Sequence, residues 1–248
     1  MTIWIPPWDG DVQYSKIADF LACGSFSAIH IAEMKDRNWT GTFREYSERA
    51  LAKLSGTNKQ GNTLQHIVDA INNYGLIKTE DWPELTDGTN DVSWDEFYAE
   101  IPPEVLTKAD KGWKCHLVSL NPSEVENRLS TTPIWTIIPT SGGTDHIVAL
   151  ITWGDGQYGL GTYYDSYQLF IKDIQPNFKP LSYWDIQLTY TPMSNVEFVH
   201  KAGTQEYGFY FPALSQDAIK DKALNVGQNI LNPDGTINFN QAKEVQGL

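Results

Sequence analysis

The hydrophobic pattern of this 248-residue chain changes its period near residue 132. Before that point apolar side chains recur at helical spacing, as in residues 64–74, where one stripe would face a core. After it, short runs such as 134–138 and 146–153 are apolar, β-branched and bounded by Pro and Gly, which is typical of buried strands. Helices followed by strands predict an α+β fold, with any active site between the two halves.

Local start and stop signals predict four helices in the first half. They cover residues 23–34, 43–54 and 64–74, and a fourth begins near Ser123 within a capping-box pattern. The first of them is apolar or small nearly all round, which indicates a buried central helix. Gly75 follows the third at the position where left-handed backbone is common.

The second half is predicted to be stranded up to residue 211. The Asp155-Gly156 pair predicts a hairpin turn into a strand over 158–164, and aromatic-rich strands follow over 183–190 and 196–211. We therefore expect a single unit over residues 1–211, with a helical lobe at about 13–130 and a β lobe at about 131–211. Residues 212–248 are poor in large apolar side chains and are interpreted as an arm or tail that could bind a protein partner.

Charge and composition exclude several classes of function. The net charge of −13, without a clustered Lys/Arg stripe, argues against binding to nucleic acid or anionic lipid. No run is long and apolar enough to span a bilayer, and the first residues lack the pattern of a signal peptide. We expect a cytoplasmic or virion-associated protein without a cofactor or metal site, since the two cysteines show no zinc spacing.

Cys23 is the candidate nucleophile because it begins the predicted central helix. Unpaired backbone N–H groups and the positive end of the helix dipole favour a thiolate there. His30 lies on the same face about 10 Å farther along the axis, too far to serve as its base. His146 is the best candidate base, because it opens an apolar strand directly after a Gly-rich loop. His66, His116 and His200 are interpreted as structural.

These two residues stand in motifs that resemble those of the papain-like cysteine peptidases. Residues 23–28, Cys-Gly-Ser-Phe-Ser-Ala, are similar to the family's Cys-Trp-Ala-Phe-Ser-Ala. His146 and the aliphatic residues after it are similar to the family's histidine strand, and their separation from Cys23 is also close to that of the family. Residues 46–51 resemble the family's Leu-Ser-Glu-Gln-Glu-Leu helix. Altogether the resemblance covers about residues 13–190.

The resemblance implies a papain-like fold and further site residues. Asp165 and Tyr167 match the family's Asn-Ser-Trp element, with Asp in place of the Asn that orients the histidine and Tyr in place of the shielding Trp. Gly61 and Asn62 resemble the segment that binds the substrate backbone. Asp145, beside the histidine, and Tyr167 are also expected to bind substrate in the cleft.

One departure concerns the glutamine that stabilises the oxyanion in that family. Its position falls on Ile17, so Gln13 is the candidate for this role only if the preceding loop is longer. The family's disulfide partner beside the nucleophile is also missing, which fits a reducing compartment. The length before Cys23 is too short for the family's inhibitory pro-segment, and the compactness suggests a viral or phage protein.

The sequence thus predicts a cysteine peptidase with Cys23, His146 and Asp165 as its triad, acting on peptide or protein substrates through a thioester. One alternative is a catalytically inactive papain-like component of a larger assembly. A second is an amidase or endopeptidase of peptidoglycan, since such enzymes share the Cys-then-His order.

Overall fold

A computed structural model describes most of the chain. The described residues are 4–6, 12–41, 43–140, 145–154, 158–167, 170–176, 179–190, 197–200 and 207–210. The chain divides into two compact units, Met1–Thr191 and Pro192–Leu248. The predicted tail over 212–248 and the Asp155-Gly156 turn lie outside the described residues, so both stay predictions.

The described helices all lie in the first unit and precede most of its strands. They are α1 (Cys23–Thr40), α2 (Glu48–Leu54), α3 (Leu64–Tyr74), α4 (Trp94–Phe97), α5 (Pro103–Leu106) and α6 (Pro122–Leu129).

The strands follow, with two short ones placed among the helices. They are β1 (Trp113–Lys114), β2 (Leu117–Leu120), β3 (Ile134–Pro139), β4 (Asp145–Leu150), β5 (Thr162–Asp165), β6 (Phe170–Asp173), β7 (Ser182–Ile186) and β8 (Thr189–Tyr190), with β9 (Glu197–His200) and β10 (Tyr207–Tyr210) in the second unit.

Six of these strands form one antiparallel sheet in the order β2-β7-β3-β4-β5-β6. β1 pairs with β8, and β9 pairs with β10 as a separate antiparallel pair. Helices in the first half and an antiparallel sheet in the second confirm the predicted α+β class. β4 lies inside the sheet between β3 and β5, so the strand that carries His146 is held on both sides.

The helix α1 is the centre of the first unit, as its apolar composition predicts. All its residues from Gly24 to Asp36 are buried, and it packs against α2, α3 and β4. The Ser27 hydroxyl lies 2.7 Å from the carbonyl oxygen of Cys23 and 2.8 Å from that of Ile147, so it bridges the first turn of α1 to the middle of β4. This bridge holds the helix start next to the strand of His146.

Two helix boundaries differ from the prediction. α1 continues to Thr40 instead of Met34, because Lys35 donates to the Leu188 carbonyl and Asp36 pairs with Arg44, which lets charged residues stay buried in the helix. α2 begins at Glu48 instead of residue 43, because the Ser47 hydroxyl caps the Ala50 N–H. The preceding residue Tyr46 forms a bridge with Lys78.

Candidate active site

Cys23 is the first residue of α1 and its side chain is half-buried. The residue before it, Ala22, has no polar side chain, so no side-chain cap binds the free N–H groups at this helix end. The first turn also contains no acidic residue. The positive end of the helix therefore acts on the thiol without a competing anion from the helix itself.

His146 joins Cys23 to Asp165. Its Nε2 lies 3.0 Å from Oδ1 of Asp165, and the Cys23 thiol lies near enough to the ring to raise its pKa. Because Nε2 faces the carboxylate, Nδ1 is the ring nitrogen left for the thiol. His146 and Asp165 are both buried, and their strands pair directly, as in Ala149 opposite Tyr164. The structure thus brings together the three residues predicted as the triad.

Charge coupling within this series shifts two pKa values. Burial alone would lower the pKa of His146, but hydrogen bonds to Asp165 and Cys23 and their negative charges raise it to about 9. Burial would raise the pKa of Asp165, but the hydrogen bond and positive charge of His146, with Lys172 and the Tyr167 N–H, hold it well below its usual range. The pair is therefore an imidazolium beside a carboxylate at neutral pH.

Tyr167 covers the His146–Asp165 hydrogen bond. Its ring centroid lies 5.1 Å from that of the imidazole, and its backbone N–H donates to Oδ1 of Asp165 at 3.0 Å. On its other side the ring stacks on Tyr14 at 5.9 Å. Burial and the Asp19 carboxylate raise the pKa of the Tyr167 phenol well above its usual range. An aromatic cover of this kind keeps water from competing for a buried hydrogen bond.

Asp19 ties that cover to the turn before the nucleophile. One carboxylate oxygen accepts from the Tyr167 hydroxyl at 2.7 Å, and the other accepts from the Leu21 N–H at 3.0 Å. Leu21 itself has φ +52°, in the left-handed region that disfavours a side chain. The carboxylate bond is one of the contacts that hold this turn two residues ahead of Cys23.

Gln13 lies at the same end of the site. Its backbone N–H donates to the carbonyl of Ser166, and its Nε2 lies 3.0 Å from the Ser166 hydroxyl oxygen. Its Oε1 is buried without a hydrogen-bond partner. A half-turn of the amide group would let Ser166 donate to Oε1 and would free Nε2 as a donor. Gln13 is thus bonded to the residue that follows Asp165, while Ile17 is 62% exposed.

Of the predicted substrate-binding residues, Tyr167 contacts the triad as described above, and the other three lie in two separate segments. Gly61 has φ +87° in a tight loop, and the Asn62 amide is used within that region, donating to the carbonyl and hydroxyl oxygens of Ser55 and to Thr57. Asp145 is exposed at the start of β4, beside His146.

Two cavities involve segments named above. One, of about 420 Å³, is formed by the loop before Gly61 together with Lys53, Trp94 and Tyr98. Burial raises the pKa of Tyr98 well above its usual range. The second, of about 500 Å³, is lined by residues 14–19 and Tyr167. This second cavity therefore borders the ring that lies against His146.

Cys115, His30 and His66 lie outside the set formed by Cys23, His146 and Asp165. Cys115 is free and buried, and burial raises the pKa of its thiol to about 12. His30 is fully buried, and its pKa falls to about 3 because desolvation disfavours the charged ring. His66 is exposed and bonds to Asn62 at 3.2 Å. The site residues that sequence reasoning missed are Asp19 and Lys172, which carry no motif of their own.

Comparison with known proteins gives structural neighbours only. No family model matches the sequence, and the search of curated proteins finds no match. Among solved structures the chain is similar to a cysteine protease of Carica candamarcensis, with TM-score 0.48 and 14% identity over 75% of this chain and 96% of that one.

Two further structures give similar values. The bromelain protease of Ananas comosus matches with TM-score 0.46 and 14% identity, over 71% of this chain and 94% of that one. A digestive procathepsin L from the Tenebrio molitor larval midgut matches with TM-score 0.47 and 13% identity, over 73% of this chain and 68% of that one. These are papain-like cysteine proteases, the family that the motifs resemble. The chemistry proposed for this chain rests on the side chains described above.

Two other kinds of feature are absent from the described ranges. No helix there is long and apolar enough to cross a bilayer. Nor do three or more His, Cys, Asp or Glu side chains there come together in a way that could hold a metal ion.

Proposed function

We propose that this chain is a cysteine peptidase that hydrolyses peptide bonds through a Cys23–His146–Asp165 triad. The observation that carries the proposal is the grouping of Cys23, at a helix start without a side-chain cap, with the imidazole whose pKa it raises and with the Asp165 carboxylate 3.0 Å from that imidazole. A nucleophile, a base within reach and a group that orients the base are the three parts that acyl transfer requires.

The reaction begins from a thiolate–imidazolium pair, in which His146 already holds the proton of the Cys23 thiol. The thiolate attacks the amide carbonyl carbon, and the carbonyl oxygen becomes an oxyanion that the Cys23 backbone N–H can bind. The imidazolium then protonates the leaving amine as the C–N bond breaks, which leaves a thioester. His146 next removes a proton from water, whose oxygen attacks the thioester and releases the carboxylic acid and the thiol.

Gln13 is the proposed second donor to the oxyanion. Its amide lies beside Ser166, and a half-turn of that amide directs Nε2 away from the Ser166 hydroxyl. Substitution Gln13→Ala should lower kcat by about 10²-fold with little change in KM, as loss of one oxyanion donor does in other hydrolases. Substitution Gln13→Asn, which shortens the same donor, is the matched control for removal of volume.

The test is labelling of the folded, reduced protein with an epoxide probe for thiol peptidases. Cys23 should form a single adduct by mass spectrometry, while the buried Cys115 should stay unmodified until the protein is unfolded. The variant Cys23→Ser should take no adduct, and it should lose hydrolysis of a fluorogenic peptide mixture. Absence of an adduct on folded protein, with both thiols labelled by a maleimide after unfolding, would rule the proposal out.

A second candidate function is a catalytically inactive binding component with the same fold. The observation in its favour is the Gln13 amide, whose nitrogen faces Ser166 and whose oxygen is unpaired. Such a protein would label at Cys23 with small alkylating agents and would bind peptides, but it would turn none of them over. Labelling without hydrolysis across a diverse peptide library would favour this reading.

A further inference from the structure

A lysine on the neighbouring strand holds the second oxygen of the triad carboxylate. Lys172 on β6 forms an ion pair with Oδ2 of Asp165, while Oδ1 accepts from the Tyr167 N–H and faces His146. Each carboxylate oxygen thus has its own partners. The rotation of the carboxylate group is therefore fixed with Oδ1 towards the imidazole.

The strand register explains how the lysine reaches this point. β5 and β6 are antiparallel, with Lys172 opposite Tyr163, two residues before Asp165 on the same face of β5. On two paired strands, the diagonal neighbour on the adjacent strand is within reach of a long side chain. Lys172 is 23% exposed at its side chain, so the pair is shielded from most of the solvent.

Titratable groups on several elements lie near Asp165, and the Tyr167 phenol is one of them. β4 supplies His146, β6 supplies Lys172, and α1 supplies Cys23 and the buried His30. Burial raises the pKa of Tyr163, on the same strand as Asp165, to about 12, and the Asp165 carboxylate adds a smaller contribution. His30 stays neutral because burial lowers its pKa to about 3. Among these groups, Lys172 supplies the positive charge that is independent of the catalytic proton.

We propose that Lys172 is a positioning residue that neutralises Asp165, so that the Asp165–Lys172 pair acts on His146 as the uncharged asparagine does in the papain-like family. This inference rests on the proposed peptidase function. A carboxylate without a counter-charge would bind the imidazolium too firmly, and the ring would be slow to give its proton to the leaving amine. The lysine leaves in place the hydrogen bond that orients the imidazole. Its positive charge offsets part of the negative charge of Asp165 that acts on His146.

The two single neutralising variants should shift His146 in opposite directions. Lys172→Met leaves the carboxylate uncompensated, so the pKa of His146 should rise by about one unit from about 9. Asp165→Asn leaves the lysine uncompensated, so the pKa should fall by about one unit or more. Histidine NMR titration measures both shifts without any substrate, and kcat for a peptide should fall about tenfold or more in each variant, since one pKa unit is a factor of ten.

The double variant Lys172→Met/Asp165→Asn should recover part of the activity. It restores a neutral, amide-type orienting group, so the pKa of His146 should lie between those of the single variants and kcat should exceed that of Lys172→Met. Lys172→Arg keeps the charge and should stay close to the unchanged protein. A purely structural ion pair would lower the melting temperature but would not move the His146 pKa in opposite directions.

Controls separate the outcomes. Lys108→Met removes an exposed ion pair with Asp81 of similar length and should change neither the His146 titration nor kcat. If Lys172→Met does not fold, the comparison of Asp165→Asn with the double variant and with Lys172→Arg carries the same test. Equal His146 titration in the unchanged protein, Lys172→Met and Asp165→Asn overturns the inference. Failure of the peptidase proposal is recognised differently, by absence of a Cys23 adduct and of hydrolysis in the unchanged protein.

Discussion

At the scale of single residues, the functional series depends on side chains whose partners lie far apart in the chain. Asp165 is followed by a turn that brings Tyr167 back over the imidazole, and Tyr167 in turn binds Asp19 from the segment before α1. The histidine is thereby enclosed by residues from both halves of the chain. Its hydrogen bond to Asp165 is protected by an aromatic ring whose own hydroxyl is satisfied.

Substitution of Tyr167 tests this enclosure. Tyr167→Ala should lower kcat/KM by about tenfold or more, because water would compete for the His146–Asp165 hydrogen bond. Tyr167→Phe keeps the ring and removes only the bond to Asp19, so its main effect should be a stability loss of about 1 kcal/mol. Peptide kinetics and urea unfolding of both variants measure the two effects. A larger activity loss in the Phe variant than in the Ala variant would contradict the shielding role.

The raised pKa of His146 predicts how stability depends on pH. The unfolded value is about 6.5 and the folded value is about 9, so the folded state binds the proton more tightly. The resulting stabilisation is fully present below about pH 6.5 and is lost as the pH rises towards and through 9; its size is on the order of 3 kcal/mol. Urea midpoints at pH 6 and pH 10 measure it.

His146→Gln is the control for that prediction. It removes the titrating group, so the drop in stability between pH 6 and pH 10 should become smaller than in the unchanged protein. An equal drop in both proteins would assign the pH dependence to other groups.

At the scale of elements, one helix end depends on a close contact with the backbone of another segment. α3 ends at Gly75, which has φ +81° and whose missing Cβ would lie 2.4 Å from the carbonyl oxygen of Asp110. The backbone of another segment thus passes directly over this helix end. Only glycine combines the left-handed geometry with that close approach.

Gly75→Ala should therefore destabilise the protein strongly. A positive φ with an extended ψ of −163° is almost reserved for glycine and costs an alanine about 1–3 kcal/mol, and the backbone contact adds strain of about 1–3 kcal/mol. Gly56→Ala is the matched control, because Gly56 has φ +74° but open space around its Cβ position. Thermal or urea unfolding should show a clearly larger loss at position 75. Equal losses would mean that the contact with Asp110 relaxes freely.

The elements were predictable where local signals act alone. α3 has the predicted bounds, since its apolar stripe, its Thr63 cap and Gly75 all lie within the segment. The extension of α1 past Met34 was not predictable from the sequence, because it depends on burying Lys35 and Asp36 against distant partners. Charged residues at the end of an apolar run normally indicate a surface, and only tertiary contacts reverse that expectation.

The same contrast between local sequence signals and tertiary contacts applies to the site residues. Cys23 and His146 were accessible from sequence, since each begins an element with a recognisable pattern. Lys172 was not, because its role depends on the register of β6 against β5, and the connection between these strands sets that register. Asp19 was not accessible either, since an aspartate in a turn is expected to bond locally, and its second oxygen instead receives the Tyr167 hydroxyl.

At the scale of the molecule, one continuous core joins helices and sheet within the first unit. The largest buried cluster includes residues of α1, α3, β3 and β4, and it also includes Trp4 near the amino terminus. Trp4 is buried, and its indole N–H donates to the Leu129 carbonyl at the end of α6 at 2.7 Å. The two halves of this unit should therefore unfold together.

Trp4→Ala tests that coupling. Loss of the buried ring and its hydrogen bond should destabilise the unit by about 3–5 kcal/mol, whereas Trp4→Phe should lose less because it keeps most of the volume. Far-ultraviolet circular dichroism and aromatic fluorescence should report one coincident transition in each variant. Separate transitions for helix and sheet signals would contradict a shared core.

The turn ahead of the nucleophile has a consequence that concerns handedness. Leu21 holds a backbone conformation that L-amino acids avoid and that D-amino acids prefer, at a cost of about 1 kcal/mol. An achiral residue at this position would let the chain reach the same path at lower energy. At position 21 the fold thus holds an L-residue in an unfavourable backbone conformation, two residues before Cys23.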